Sequence, residues 1–426
     1  MRKYDTYKPS GVEWLGEIPE HWEALSNKFI FKLNKNLVGK KSSEYDLLSL
    51  TLNGVIKRDM ENPSGKFPAE FDTYQEVKKG DFIFCLFDVE ETPRTVGLSD
   101  FDGMITGAYT VMQVSKKFDN SFLYYFYLNL DAGKRMKPLY TGLRNTISKD
   151  NFFSFKTFVP PIKEQTTIAN FLDDKTTKID QAIAIKQKQI DLLKERRQIL
   201  IHKAVTRGLD ENVKLKNSGI EWIGKIPEGW EVKKMTNVCK IDTGATPDRS
   251  NSSYWQGNIP WIKTGEVNYE LITSAEEFIT IKGLKNSSTR LAPIGTLLMA
   301  MYGQGVTRGR VSILGIEATY NQACCAMLFN KNIHNKYAYY FFIMAYSYIR
   351  DGGNETSQMN ISAGYISNLK ILQPPIIEQQ IIIEFIETAS TKISNAIFLK
   401  EQEIEKLKEY KMSLIDGVVT GKVKVC

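Results

Sequence analysis

A heptad-patterned stretch that occurs twice constrains this chain more than any other feature. In the first copy Ile179, Ile183, Ile190, Leu193, Leu200 and Ala204 fall three, four or seven residues apart. That spacing lines apolar side chains along one seam of a helix. The second copy lies 214 residues downstream, where Ile393, Ile397, Ile404, Leu407, Leu414 and Val418 take the same seats. Even the interruptions recur, Lys186 as Lys400 and Arg197 as Lys411. Two stretches matched in phase and in interruptions are expected to pair with each other as one antiparallel two-helix coiled coil. The interrupting cations either fix its register or face a partner, and the pattern alone leaves both roles open.

The flanks repeat too. Ser10–Ala24 (SGVEWLGEIPEHWEA) returns as Ser218–Val232 (SGIEWIGKIPEGWEV), with Trp14, Pro19 and Trp22 answered by Trp222, Pro227 and Trp230. Upstream of each heptad stretch stand Val159-Pro160-Pro161-Ile162-Lys163-Glu164-Gln165 and Gln373-Pro374-Pro375-Ile376-Ile377-Glu378-Gln379. The prolines bar helix continuation from the preceding element and suit a helix start, where the glutamate complements the dipole. Each half is therefore expected to end in a proline elbow, a short helix and a long helix. The domains expected are 1–158, a first globular domain; 159–209, a central repeat with a long helix; 210–372, a second globular domain; and 373–426, a C-terminal repeat with the second long helix.

Between these repeated edges the two halves differ. In the first, Phe82–Phe87 and Ala108–Val114 read as buried strands and Phe122–Leu130 as an aromatic-rich core helix. The second is longer in its variable middle and has other loops. The predicted fold class is α+β: two globular α/β domains separated by the antiparallel coiled coil, with a pseudo-twofold internal repeat.

Composition excludes several classes of function. With 42% hydrophobic and 25% charged residues the chain resembles a soluble globular protein, and it has no apolar run long enough to cross a bilayer. Its start lacks the apolar core of a signal peptide, so a cytoplasmic location is expected. Five cysteines without C-x-x-C pairs and only three histidines argue against a structural metal site. The formal charge of +7 tilts the chain toward an anionic partner.

Candidate contacts with such a partner lie in polar connections, where a rigid scaffold displays recognition residues. In the first half they are Lys40, Lys41, Lys57, Arg58, Arg94, Arg144 and Asn145. In the second half, the loop Ile241–Val267 offers Thr246, Arg249, Lys263 and Thr264, and Gln358 stands opposite Arg144. The stretch Met299–Leu314 adds Gln304, Arg308 and Arg310 between glycines that permit close approach. Glutamine reads adenine bidentately, and arginine reads guanine or grips phosphate. Any one of these cations, taken alone, also reads as a solvated surface charge.

Catalytic patterns are missing. The Pro-Pro motifs lack the polar residue and the ring that would hold a flipped base. Asp173-Asp174 has no second copy, since Glu387-Thr388 replaces it, and there is no P-loop. No catalytic residue, metal ligand or cofactor is assigned.

The tandem frame, SGxEWxGxIPExWE then a variable domain then PPIxEQ and a long helix, resembles the specificity subunit of type I restriction-modification systems. Thr243–Pro247, Pro260–Gly265 and Tyr320–Ala323 also resemble recurring patterns of that family, and the first variable domain lacks clear forms of them. The resemblance implies a non-catalytic subunit with two target recognition domains, each reading one half of a bipartite site in double-stranded DNA. It further implies two modification (methyltransferase) subunits bringing S-adenosylmethionine, and restriction subunits bringing ATP-driven translocation and cleavage. The alternatives are the recognition subunit of a related methyltransferase-only or fused restriction system, and a coiled-coil scaffold that binds no DNA.

Overall fold

The structure, a computed structural model, describes residues 2–60, 70–303, 306–352 and 360–425. It divides into two compact units, one built from 1–187 with 401–426, the other from 188–400.

The first unit opens with a hairpin, Tyr7–Pro9 against Glu17–Pro19. Trp22 follows, fully buried. Strand Glu23–Ser26 then pairs antiparallel with Lys156–Val159, so the two edges of the variable domain close on each other. Inside lies a four-stranded antiparallel sheet in the order Phe31–Leu33, Thr110–Val114, Phe82–Phe84 and Val96–Leu98. Phe82, Ile83 and Phe84 are all buried, as expected of a strand covered on both faces. Helix Asn120–Ala132 shares a core with this sheet. It starts at Asp119, whose side chain accepts from the Phe122 amide at 3.0 Å, and stops at Gly133. Its aromatic run is core: Phe122, Phe126 and Tyr127 are inaccessible to solvent.

The second unit repeats this plan. Leu215–Asn217 pairs with Lys225–Pro227, and Glu231–Lys234 with Lys370–Gln373. The four-stranded sheet runs Cys239–Thr243, Cys324–Phe329, Leu297–Ala300, Val311–Ile313, the same order as before. Helix Asn335–Met344 corresponds to Asn120–Ala132. The insert differs: Trp255–Ile262 pairs antiparallel with Glu277–Ile279 and parallel with Thr319–Tyr320. The first unit has two small two-stranded antiparallel sheets instead, Leu48–Thr51 with Gly54–Lys57 and Gln75–Val77 with Gly103–Ile105.

The expected pair of short and long helices in each half is a single helix. One spans Ile162–Arg207, 46 residues, and the other Ile376–Val419, 44 residues. No glycine or proline stands between Ile162 and Arg207, so nothing breaks the helix before Gly208 takes a left-handed φ of 72°. Within each unit the two helical stretches run antiparallel. In the first, Ile179 packs in one core with Leu414, Ile415 and Val418. In the second, Ile201, Ala204 and Val205 share a core with Ile382, Ile383 and Ile386. The heptad seats Ile179, Ile190, Ile393, Ile397, Ile404 and Leu414 are buried, and Ile183, Leu193, Leu200 and Leu407 are half-buried. Three interrupting cations reach across the seam. Lys186 pairs with Glu403 at 2.5 Å, Lys411 with Asp180 at 2.6 Å, and Arg197 meets Ser394 Oγ at 3.5 Å.

The Glu-Gln of each proline elbow does more than complement a dipole. Glu164 accepts from Trp22 Nε1 at 3.1 Å and from the Tyr4 hydroxyl at 2.7 Å, and it pairs with His21 at 2.7 Å. Glu378 accepts from Trp230 Nε1 at 3.0 Å. Gln165, nearly fully buried, donates to the Pro160 carbonyl and accepts from the Asp119 amide. Gln379 does the same with Pro374 and His334, and donates also to Asn332. Buried polar groups are held by partners in this way, and each clamp joins opening segment, variable domain and long helix.

Candidate nucleic-acid interface

In the second unit three sequence-distant motifs meet. The loop after strand Cys239–Thr243 passes so close to Tyr320 that a Cβ on Gly244 would lie 2.1 Å from its carbonyl oxygen, so only glycine fits. Ala245 then donates to the Tyr320 carbonyl at 3.1 Å, while its own carbonyl accepts from Trp261 Nε1 at 3.0 Å. Thr246 hydrogen-bonds Gln322. Thr243–Pro247, Pro260–Gly265 and Tyr320–Ala323 thus form one constellation.

On it sits a cation stacked on rings. The Arg249 guanidinium lies 3.8 Å from the Trp255 ring centroid and 4.8 Å from that of Trp261, with the two indoles edge to face. Arg249 also pairs with Glu277, and Lys263 reaches Glu276 at 2.7 Å and Glu277 at 3.1 Å. The Arg249 hydrogen bond, reinforced by Lys263, holds the Glu277 carboxyl below the usual carboxylate range, and Glu276 and then Glu277 push the Lys263 ammonium up. Thr264 is half-buried and opens the turn Thr264–Glu266. The surface therefore offers donors, acceptors and aromatic faces together.

In the first unit the loops around 88 and 145 zip together, with the Asp88 amide donating to the Arg144 carbonyl at 2.9 Å. Arg144 grips Asp88 in a fork, Nε to Oδ1 at 3.0 Å and Nη2 to Oδ2 at 2.5 Å. Asn145 reaches Glu91 at 3.2 Å. Asp88 and Asn145 both have φ of 45°, a left-handed backbone tolerated by Asp and Asn more than by most residues. Arg144 remains 72% exposed despite its partner, so the fork is presented to solvent. The Arg144 hydrogen bond lowers the Asp88 carboxyl pKa.

The other sequence candidates are scattered. Lys40 and Lys41 are exposed on the short helix Gly39–Glu44. Lys57 pairs with Asp46 at 2.5 Å, and Arg58 is half-buried beside it. Arg94 lies 3.8 Å from the buried Asp131. Arg308 is buried and donates to the Arg350 carbonyl at 2.8 Å, so it does not extend from its loop. Arg310 is half-buried against Tyr269. Gln304 and Gln358 lie outside the described residues. Sequence reasoning missed Glu276, Glu277, Asp88 and Asp131, the carboxylates that position these cations, because each is far from its partner in the chain and in no motif.

Among the described residues no group of three or more His, Cys, Asp or Glu is placed to hold a metal ion, and no helix is long and apolar enough to cross a membrane. Cys85, Cys239, Cys324 and Cys325 are buried, and burial pushes the Cys239 and Cys325 thiols up to about 12.

A repeated frame that carries two unlike variable domains, each with polar loops set on a rigid sheet, defines a tandem recognition protein. The chain belongs to the type I restriction-modification DNA specificity family, whose description, "Type I restriction modification DNA specificity domain", matches residues 76–195 and 227–409. It is 23% identical over 443 residues to a putative type I restriction enzyme MjaX specificity subunit of Methanocaldococcus jannaschii, with 96% of each chain covered. It is 28% identical over 192 residues to the EcoR124I/EcoR124II specificity subunit of Escherichia coli, covering 44% of this chain and 45% of that one. Among solved structures it resembles a chain from a type I restriction-modification complex, with TM-score 0.72 at 13% identity and 95% and 99% of the chains covered. A second likeness is the HsdS subunit from Thermoanaerobacter tengcongensis, with TM-score 0.55 at 13% identity and 95% and 98% covered.

Proposed function

We propose that the protein is the DNA-reading, non-catalytic subunit of a cytoplasmic type I restriction-modification complex. Each variable domain reads one half of a bipartite target. Arg249 with its tryptophans, Lys263, Thr246 and Thr264 carry contacts in the second domain; Arg144, Asn145, Lys40, Lys41, Lys57 and Arg58 carry them in the first. Stacked or forked arginines suit base edges and phosphates alike. Methyl transfer from S-adenosylmethionine belongs to two modification subunits, and ATP-driven translocation and cleavage to restriction subunits.

The observation that carries this reading is the duplicated clamp. Trp22–Glu164 and Trp230–Glu378 fasten two different domains to long helices in the same way. A frame repeated while its inserts diverge fits two copies of one partner and two different DNA half-sites. The long helices fix the number of base pairs between those half-sites.

The test is a matched heptad insertion, seven residues between Gln187 and Lys188 and seven between Lys400 and Glu401, which preserves the seam. At ~1.5 Å per residue the helices lengthen by about 10 Å, or about three base pairs at ~3.4 Å each. Mapping of methylated adenines in a host carrying the variant and its modification subunit should show a longer spacer with unchanged half-sites. An unchanged spacer, in a variant that still methylates, would overturn the ruler.

A further inference from the structure

Each unit holds a cavity between its variable domain and its long-helix stretches, and the two cavities share several corresponding wall positions while differing in charge. In the first unit the cavity, about 660 Å³, is lined by Tyr124, Tyr125, Leu128 and Thr176 among others. In the second, of about 570 Å³, Tyr339, Tyr340, Ile343 and Ser390 take those places. One cation matches and another lies one residue out of step. Lys411 corresponds to Arg197 by the 214-residue offset, and Arg310 takes the strand register of Thr95, the residue after Arg94.

The first cavity sets its own carboxylates against Lys411 and Arg94, two of the cations that line it. Asp180 binds Lys411 at 2.6 Å. Asp131, nearly inaccessible, takes Thr95 Oγ1 at 2.6 Å and Lys134 at 3.1 Å and lies 3.8 Å from Arg94. Both carboxylates are gone from the second cavity. Ser394 stands in place of Asp180, and Tyr346 in place of Asp131.

Among its described residues the second cavity keeps its cations without acids. No carboxylate is among its described lining residues; Glu270 and Glu387 belong to an adjoining hollow, where Glu387 is held by Lys336 at 2.6 Å. Arg197 meets Ser394 Oγ at 3.5 Å and has no ionic partner among the described residues. The Arg310 guanidinium lies 5.7 Å from the Tyr269 ring centroid, and its buried Nε has no hydrogen-bond partner among the described residues. A half-buried guanidinium with no acid beside it among the described lining residues is stabilised by an anion that enters the cavity it lines. Tyr269 itself is held in the left-handed region at φ of 75°, pinned by its amide to Ser312 Oγ and by its carbonyl, which accepts from the Tyr339 hydroxyl. Strain kept at a ligand-sized cavity points to function.

We propose that the second cavity is an anion site for a phosphate-bearing ligand, the phosphate bridging Arg197 and Arg310 where the first unit uses its own Asp180 and Asp131. The tyrosine walls leave room for a planar base attached to that phosphate. This goes beyond DNA reading by the loops and stands whether or not that reading holds.

The probe is inorganic pyrophosphate, titrated calorimetrically into the full chain assembled with its modification subunit. One equivalent per chain is expected to bind. Arg310→Gln should weaken it by about tenfold or more, since a charge-assisted pair is lost. Ser394→Asp should weaken it comparably while keeping the fold, because it copies the Asp180–Lys411 pair. Competition by a duplex that lacks the target would assign the phosphate to DNA; competition by ATP but not duplex would assign it to a free nucleotide. Absence of pyrophosphate binding to the wild type, or binding unchanged in both variants, would overturn the proposal.

Discussion

The two units solve one packing problem twice with different chemistry. Under the closing strand pair of the first, Tyr127, Asn27 and Thr157 form a fully buried hydrogen-bonded trio with separations of 2.7–2.8 Å. At the corresponding sheet positions of the second unit stand Met235 and Ile371, also fully buried. The backbone around them is unchanged: Asn27 donates to the Phe155 carbonyl and Met235 to that of Leu369, both at 2.9 Å. Backbone pairing and the tryptophan clamp thus survive as a frame while interior polarity drifts. A domain with its own core can be read as a module, so long as the frame beneath it is kept.

The largest effects should come from the frame and should be equal in the two units. Trp22→Ala and Trp230→Ala each remove a fully buried ring and are expected to cost about 3–5 kcal/mol. Hydrogen exchange should localise each loss to its own unit; a Trp230→Ala variant as protected as wild type would break the equivalence. Next comes the trio. Tyr127→Phe leaves the Asn27 and Thr157 side chains short of a partner and should cost about 1–3 kcal/mol in urea unfolding. Importing the second unit's solution, Asn27→Met with Thr157→Ile and Tyr127→Phe, should recover most of that loss, because removing all partners together is nearly neutral.

The clamps sharpen the comparison further. Glu164 gathers the Trp22, Tyr4 and His21 side chains, whereas Glu378 holds Trp230, so Glu164→Gln should be the more costly of the two isosteric changes, within about 1–3 kcal/mol. Thermal unfolding of both variants measures the difference, and a larger loss in Glu378→Gln would contradict it. The smallest effect belongs to the seam. Asp180→Ser gives the first unit the residue found at Ser394 and removes a half-exposed ion pair, for about 0–1 kcal/mol. A loss of several kcal/mol would make the cation a register lock rather than a local tie.

What was legible in the sequence follows from what repeats. The heptad seats, the tryptophans and the proline elbows occur twice, so their roles in the fold could be read from spacing. The merging of short and long helices is harder to read because polar Gln165 and Thr176 take heptad seats between Ile162 and Ile179, although Ala169 and Leu172 keep the register and nothing in the segment breaks a helix. The interface was harder. Its cations were visible as residues in polar loops, but their geometry depends on carboxylates that come from elsewhere in the chain, as Glu277 does for Arg249 and Asp88 for Arg144. Arg308 looked like an extended donor and is folded inward onto the Arg350 carbonyl. Glycine spacing announces a close backbone approach without telling which side chain turns in.

The central claim is that each variable domain reads its half-site alone on a shared frame. Replacing residues 25–157 with the corresponding domain of another family member, while keeping Trp22, Glu164 and both long helices, tests it directly. Single-molecule mapping of methylated adenines should then show one half-site changed, with the other half-site and the spacer as before. Changes in both half-sites would contradict the account.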